Sequence, residues 1–334
     1  MDETIGQRLD DPAGFFRWIN HAALSIAVLK TAVETNLCGH LGVVPVTIED
    51  LAARCDLPTD KLRRLVDYLA CEDVVTLSPD GRVSATDRSR RVGDLASMIM
   101  VQARNAEVGP SLLEGLRRDV SAYEACFGKP VFAHLPEQPA MAAHFSDFMG
   151  FLTRRVEEFV FSKHEFRPFE RAVDVGGSHG DLLKGLLARH PRARGVLFDL
   201  PGTAALVADA IRASAQGDRI EIVGGDFFAS VPSGDLYLIK MVLHDWNDAE
   251  CVSILKNVRA SIASQGRVAV IDYLLPERAE RSAGQFMDIA MMVWATGRER
   301  RLSEFEALFE QSGFRVDRVT RNPDGQSVIE AVPH

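Results

Sequence analysis

The sequence predicts an α/β fold: a doubly wound, mostly parallel seven-stranded sheet ending in an antiparallel hairpin, preceded by a mainly helical winged-helix domain. Three observations predict it. From Arg171 onward, short apolar runs alternate with helix-length segments, the rhythm of a parallel sheet covered on both faces. The last two runs are joined instead by Arg321-Asn322-Pro323-Asp324-Gly325, a hairpin signal. Upstream, residues 12–105 carry apolar positions at helical spacing and a tight turn between two short helices.

Length and composition set the frame. A chain of 334 residues has room for two domains, and the expected divisions are 1–105, 106–168 and 169–334. With 46% hydrophobic and 25% charged residues the composition is globular. No apolar run approaches the roughly 20 residues that span a bilayer, so no membrane partner is expected. Asp2, Glu3, Arg8, Asp10 and Asp11 do not read as a signal peptide. A net charge of −9 argues against a nucleic-acid partner. Cys38, Cys55, Cys71, Cys126 and Cys251 are scattered and odd in number, the usage of a reducing cytoplasm. The histidines show no HExxH-type pairing, so no metal is expected.

The elements follow in order. Phe15, Phe16, Ile19, Ala22, Ala23, Ile26, Leu29 and Val33 recur at helical spacing. Thr47 and Asp50 form a capping box for a helix through Cys55. The turn Asp56-Leu57-Pro58-Thr59 leads into a second helix from Lys61. The runs Val74–Leu77 and Arg82–Ala85 then flank Ser78-Pro79-Asp80-Gly81, an Asp-Gly hairpin. Helix-turn-helix plus hairpin is a winged helix, which serves either DNA binding, through Lys61, Arg63 and Arg64, or dimerisation. The acidic chain favours dimerisation. Residues 106–168 read as further helices, with Met141, Phe145, Phe148, Met149 and Leu152 on one face. Strands are expected at Ala172–Val175, Gly195–Asp199, Ile220–Val223, Leu236–Lys240, Val268–Tyr273, Phe314–Thr320 and Ser327–Val332. Helices are expected at Gly180–His190, Thr203–Ser214, Asp248–Ala263 and Ser303–Gly313.

Two segments carry chemistry. Asp174-Val175-Gly176-Gly177-Ser178-His179-Gly180 follows the first strand and opens a helix, where glycines let the backbone approach a ligand closely. It lacks the Gly-x-Gly-x-x-Gly spacing of a diphosphate cradle. Asp199 ends the second strand, where a carboxylate suits ribose hydroxyls, and Asp226 with Phe227 follows the third. A cofactor with ribose and adenine but without phosphates fits. The second segment is Leu243-His244-Asp245-Trp246, after the apolar run Leu236–Ile239 and Lys240. Ligands bind at the carboxyl ends of such strands, and imidazole exchanges protons near neutrality.

These motifs, with Phe198-Asp199-Leu200-Pro201, Gly225-Asp226-Phe227-Phe228 and Gly297-Arg298-Glu299-Arg300, resemble the S-adenosylmethionine-dependent O-methyltransferases of the caffeic-acid and bacterial natural-product type. They run in that family's order over residues 171–313, and the winged-helix half resembles its dimerisation domain. The resemblance implies a class I methyltransferase domain and a homodimer formed through the N-terminal domain. It implies that S-adenosylmethionine, converted to S-adenosylhomocysteine, is held by Asp174, Gly176, Gly177, Asp199, Leu200, Gly225, Asp226, Phe227 and Lys240. His244 matches the base, with Asp272 and Glu299 flanking it and Asp245 on the acceptor side. Phe145, Met149, Met291 and Trp294, with Met287 beside them, are the expected wall for a small aromatic acceptor. Two positions depart from the pattern: Ser178 replaces a glycine, and Asp272 stands where plant members carry glutamate. Methylation of nitrogen or carbon, a non-methylating reaction and a ligand-sensing DNA-binding regulator are the competing readings.

Overall fold

The structure, a computed structural model, describes residues 7, 9–42, 44–322 and 325–334. The chain divides into two units, Met1–Glu107 with Leu135–Phe148 and Val108–His134 with Met149–His334.

In the first unit, α1 (Pro12–Glu34) begins with a proline, whose fixed φ and missing N–H suit the first helical position. The helix-turn-helix is α2 (Ile48–Cys55) and α3 (Thr59–Cys71). Thr47 Oγ1 accepts from the Asp50 amide at 3.1 Å. Only that half of the expected capping box forms among the described residues. Asp56 closes α2 at φ 52°, a left-handed conformation that aspartate tolerates. The strands β1 (Val75–Leu77) and β2 (Val83–Ala85) pair antiparallel as the wing, and Gly81 turns the chain at φ 78°. Leu51, Leu62 and Val66 of the helices form one buried core with Val75 and Val83 of the wing. Helices α4 (Asp87–Asp94) and α5 (Ala96–Val108) follow.

The second unit starts with three short helices, α6 (Leu112–Arg118), α7 (Ala122–Phe127) and α8 (Val131–His134). The division between the units falls inside α9 (Pro139–Lys163). Then come β3 (Arg171–Val175), α10 (Asp181–Arg189), β4 (Arg194–Asp199), α11 (Pro201–Arg212) and β5 (Ile220–Gly224). They are followed by β6 (Gly234–Lys240), α12 (Asp248–Ser261), β7 (Ile262–Leu275), α13 (Ala283–Trp294) and β8 (Arg300–Arg301). The chain ends with α14 (Leu302–Gln311), β9 (Phe314–Thr320) and β10 (Gln326–Pro333).

The sheet order is β5-β4-β3-β6-β7-β10-β9, with β8 paired to β7 off this path. The strands from β5 to β7 are parallel, and β10 is antiparallel to both β7 and β9. Seven strands stand where the sequence placed them. The two-residue β8, an eighth, and α13 had no strand or helix assigned in advance. Helix α11 starts at Pro201 rather than Thr203 because proline is favoured at a helix start. Of the expected terminal turn, Pro323 and Asp324 lie outside the described residues.

Alternation along each strand feeds two cores. Val173, Val175, Tyr237, Ile239, Val268 and Val270 face α12 and α14 through Ile254, Leu255, Phe305 and Phe309. Ala172, Leu197, Leu236, Leu238, Ala269 and Ile271 face α10 and α11 through Leu183, Leu186 and Ile211. The strand order reverses between β3 and β6, leaving a crevice at their carboxyl ends. Among the described residues no helix is long and apolar enough to cross a membrane.

Phe309 is fully buried in the first core. Phe309→Ala should lower the free energy of unfolding by about 3–5 kcal/mol in urea denaturation. A loss below about 1 kcal/mol would show that its site collapses around the missing ring.

Candidate active site

Strand β6 ends at Lys240, and Met241 then takes φ 51°. That turn leads into a three-residue 3₁₀ turn, Leu243–Asp245, carrying His244. The imidazole is buried, and its Nδ1 lies 2.8 Å from Glu299 Oε1. With the carboxylate as acceptor, Nδ1 carries the hydrogen and donates it. Nε2 lies 3.7 Å from Asp245 Oδ1, beyond hydrogen-bonding distance. Burial pulls the proton affinity of His244 down, but the Glu299 and Asp245 carboxylates outweigh it, and its pKa is raised to about 10.

Glu299 is fixed in turn, because its amide donates to Asp288 Oδ1 at 3.0 Å. Two residues earlier, Gly297 crosses the histidine turn so closely that a Cβ would lie 1.9 Å from the His244 carbonyl oxygen. Only glycine fits there. Asp272, the other acid flanking His244, is fully buried, and neither of its carboxylate oxygens has a hydrogen-bond partner. Burial raises its pKa to about 7, partly offset by His244. Of the two acids, Glu299 makes the bond and Asp272 does not. Asp245 is likewise raised by burial, to about 6, against the pull of His244.

The glycine loop lies across the switch in strand order. Gly176 takes φ 69°, and a Cβ there would lie 2.8 Å from Val242 Cγ2, on the segment leading to His244. A Cβ on Gly177 would lie 2.4 Å from Leu197 Cδ1. Ser178 is held at φ 50°, and its amide donates to Asp199 Oδ2 at 2.9 Å. The Leu200 amide donates to Asp199 Oδ1 at 2.8 Å. Asp199 therefore ties the loop to the end of β4, and a carboxylate has lone pairs left for further donors. Gly225 joins the same edge, its amide donating to the Asp199 carbonyl at 2.9 Å.

Asp174 is buried with Oδ2 unpartnered, and burial raises its pKa to about 7, moderated by Lys240. Burial also lowers the Lys240 pKa, against the opposing pull of Asp174 and Asp272. Asp226 is exposed and caps its own turn, accepting from the Phe228 amide at 2.8 Å. Phe227 packs edge-on against Phe228 and Trp246. Asp174, Gly176, Gly177, Asp199, Leu200, Gly225, Asp226, Phe227 and Lys240 thus follow or end β3, β4, β5 and β6 on one edge of the sheet.

The expected acceptor wall is divided. Phe145 belongs to the first unit, whereas Met149, Met287, Met291 and Trp294 belong to the second. Met291 is buried, and Trp294 stacks on the fully buried Tyr123 with ring centroids 5.6 Å apart. The Tyr123 hydroxyl is 3.1 Å from His134 Nδ1. The sequence reading missed Tyr123, whose only signal was an aromatic in a short helical segment. Among the described residues, no group of three or more His, Cys, Asp or Glu is arranged to hold a metal ion.

Comparison with known proteins identifies the family. The family model for the O-methyltransferase domain matches residues 110–315. Phenazine O-methyltransferase PhzM of Lysobacter antibioticus is 32% identical over 91% of this chain and 92% of its own length. The crystal structure of LaPhzM superposes with a TM-score of 0.87 at 29% identity, covering 96% of this chain and 99% of that one. CalO1, a methyltransferase in calicheamicin biosynthesis solved in its SAH-bound form, matches over 100% of both chains at 29% identity, with a TM-score of 0.73. By sequence, motif order and fold, the chain belongs to the O-methyltransferase family.

Proposed function

We propose that this enzyme methylates a hydroxyl of a small aromatic acceptor, with His244 as the general base. The observation that carries the reading is the buried 2.8 Å hydrogen bond between His244 Nδ1 and Glu299. It commits one nitrogen to a carboxylate, so that Nε2 is the nitrogen that takes the acceptor's proton once the imidazole is neutral. When bound, S-adenosylmethionine supplies a methyl group already activated on a sulfonium. The residues present suit that cofactor: Asp174 has a buried unpartnered oxygen, Asp199 has spare acceptor capacity, and Gly176 leaves the loop without a side chain. We assign Asp199 to the ribose, Gly176 and Gly177 to the methionine part, Lys240 and Asp174 to its surroundings, and Asp226 with Phe227 to the adenine. Leu200 and Gly225 shape the same edge. Met149, Met291 and Trp294 form the acceptor side in this unit, with Asp245 beside the reacting hydroxyl.

The proton affinities suit a phenol. A phenol titrates near about 10, and the His244 pKa is raised to about 10. The raised proton affinity lets the proton pass from oxygen to Nε2 at less cost than to a free imidazole, while Glu299 stabilises the imidazolium that forms. In the free enzyme at neutral pH the imidazole already holds its proton. Turnover therefore rises with pH as that proton is lost.

A panel of hydroxybenzoates, hydroxynaphthoates and hydroxyphenazines with labelled methyl donor tests the activity. His244→Gln should bind S-adenosylmethionine normally and lose roughly 10²–10⁴-fold in kcat; near-normal turnover would remove the base assignment. Glu299→Gln keeps an acceptor near Nδ1 but removes the charge. The rising limb of kcat/KM should then move to lower pH by at least about one unit, and an unmoved limb would show that Glu299 does not hold the proton.

We also propose a homodimer formed through α1. Phe16, Ile19 and Leu24 on that helix are 67%, 46% and 62% exposed, an apolar surface of the kind that is covered by a partner. Light scattering should give twice the mass of the chain, and a monomer would refute it. The five cysteines are free, which suits a reducing compartment, and we place the enzyme in the cytoplasm.

A further inference from the structure

We propose that Arg300 is a positioning residue for the base: its buried guanidinium spans the turn that carries His244 and fixes the imidazole against Glu299. This role rests on the assignment of His244 above. The Arg300 side chain is fully buried. Its Nη1 donates to the Leu243 carbonyl at 2.9 Å and its Nη2 to the Trp246 carbonyl at 2.7 Å. Those carbonyls lie immediately before His244 and immediately after Asp245. Nε and Nη2 both donate to Asp248 Oδ1, at 2.9 and 2.8 Å, which compensates the buried cation.

The turn needs such a lock. A 3₁₀ turn of three residues is weakly held by its own backbone, and here Trp246 N reaches the Leu243 carbonyl only at 3.3 Å. A guanidinium presents several donors in one rigid plane, whereas an ammonium is a point that cannot bridge separated carbonyls in the same way. The chain also makes the geometry mutual. Glu299 and Arg300 are adjacent, so one segment grips the imidazole through a carboxylate and the backbone around it through a cation. That segment is anchored by parallel pairing of Arg300 with Leu274 on β7, and Gly297 lets it lie against the turn without a gap.

A residue that merely stabilised the fold would not couple to the base, and this separates the two roles. Arg300→Lys should lower kcat about 10²-fold, the loss that a displacement of about 1 Å produces. Binding of S-adenosylmethionine, read by calorimetry, should stay within about twofold of wild type because the guanidinium bonds to the His244 turn and Asp248 and to none of the residues assigned to the cofactor. The rising limb of the pH profile, read with the best acceptor of the phenolic panel, should move to lower pH as His244 loosens from Glu299. In a His244→Gln background the same change should add little further loss, because both act through one group.

Wild-type kcat and pH limb in Arg300→Lys, or full additivity in the double variant, overturns the proposal. If Arg300→Lys does not fold, Asp248→Asn reads the same lock from its half-exposed end. It should lower kcat about tenfold with the same direction of limb shift, and an unchanged kcat and limb would overturn the proposal. Normal turnover in His244→Gln alone would instead remove the base assignment on which the role rests.

Discussion

A buried imidazole keeps a proton only where a neighbouring negative charge or dipole outweighs its desolvation, and here the Glu299 carboxylate does so, which governs the architecture of this site. Desolvation alone would leave His244 neutral and a weak base. Glu299, itself buried, reverses the outcome at the cost of removing a second charge from water. Such a pair is useful only when both members are held rigidly, since a half-formed buried ion pair is worse than none. The chain therefore surrounds the pair with fixed backbone. The His244 turn hangs from the end of β6, and the Glu299 amide is tied to Asp288 on α13. The intervening Gly297 packs against the turn without a side chain.

The same sheet that carries this pair also sets the glycine loop beside it. Because the order reverses between β3 and β6, the loop after β3 and the turn after β6 diverge from neighbouring strand ends. Gly176 approaches Val242, two residues before His244. The glycine loop and the His244 turn are therefore packed together by the fold itself, and binding energy need not be spent on bringing them together. Asp199 performs the matching task on the other side of the loop, accepting from Ser178 and Leu200.

The central strands β3, β4 and β6 were legible because each is a short apolar run buried on both faces, and two of them end in a charged residue, Asp199 or Lys240. The histidine, the glycine loop and their acids were legible as motifs. Helix α13 was not, because Phe286, Met287, Ile289, Met291, Met292, Val293 and Trp294 are too densely apolar to show a clear helical stripe. Strand β8 was hidden by its length of two residues. The choice between Asp272 and Glu299 is a matter of side-chain reach across 28 or 55 positions of sequence separation, which no local pattern encodes. Arg300 was quoted within a motif, but hydrogen bonds to backbone carbonyls leave no signature in residue type. A guanidinium locking a turn and one exposed to water read identically.

Backbone strain marks the functional edge independently of any motif. Among the described residues, Asn36, Asp56, Asp73, Asp119, Ser178 and Met241 are the non-glycine residues with positive φ. The first four end or follow helices and are Asn or Asp, the residue types whose short polar side chains make that conformation tolerable. Ser178 and Met241 have no such excuse. One sits in the glycine loop after β3, the other between Lys240 and the His244 turn. A conformation of this kind costs about 1–3 kcal/mol and persists only where surrounding contacts enforce it. Ser178 is enforced by the Asp199 carboxylate on its amide, and Met241 by its amide's bond to the Ile271 carbonyl at 3.1 Å. Both strained residues flank the point where the strand order reverses. The fold thus concentrates this unfavourable backbone where the glycine loop turns and where the chain leaves β6 for the His244 turn. The substitution of Ser178 for the customary glycine fits this account, because Asp199 supplies the constraint that a glycine would not need.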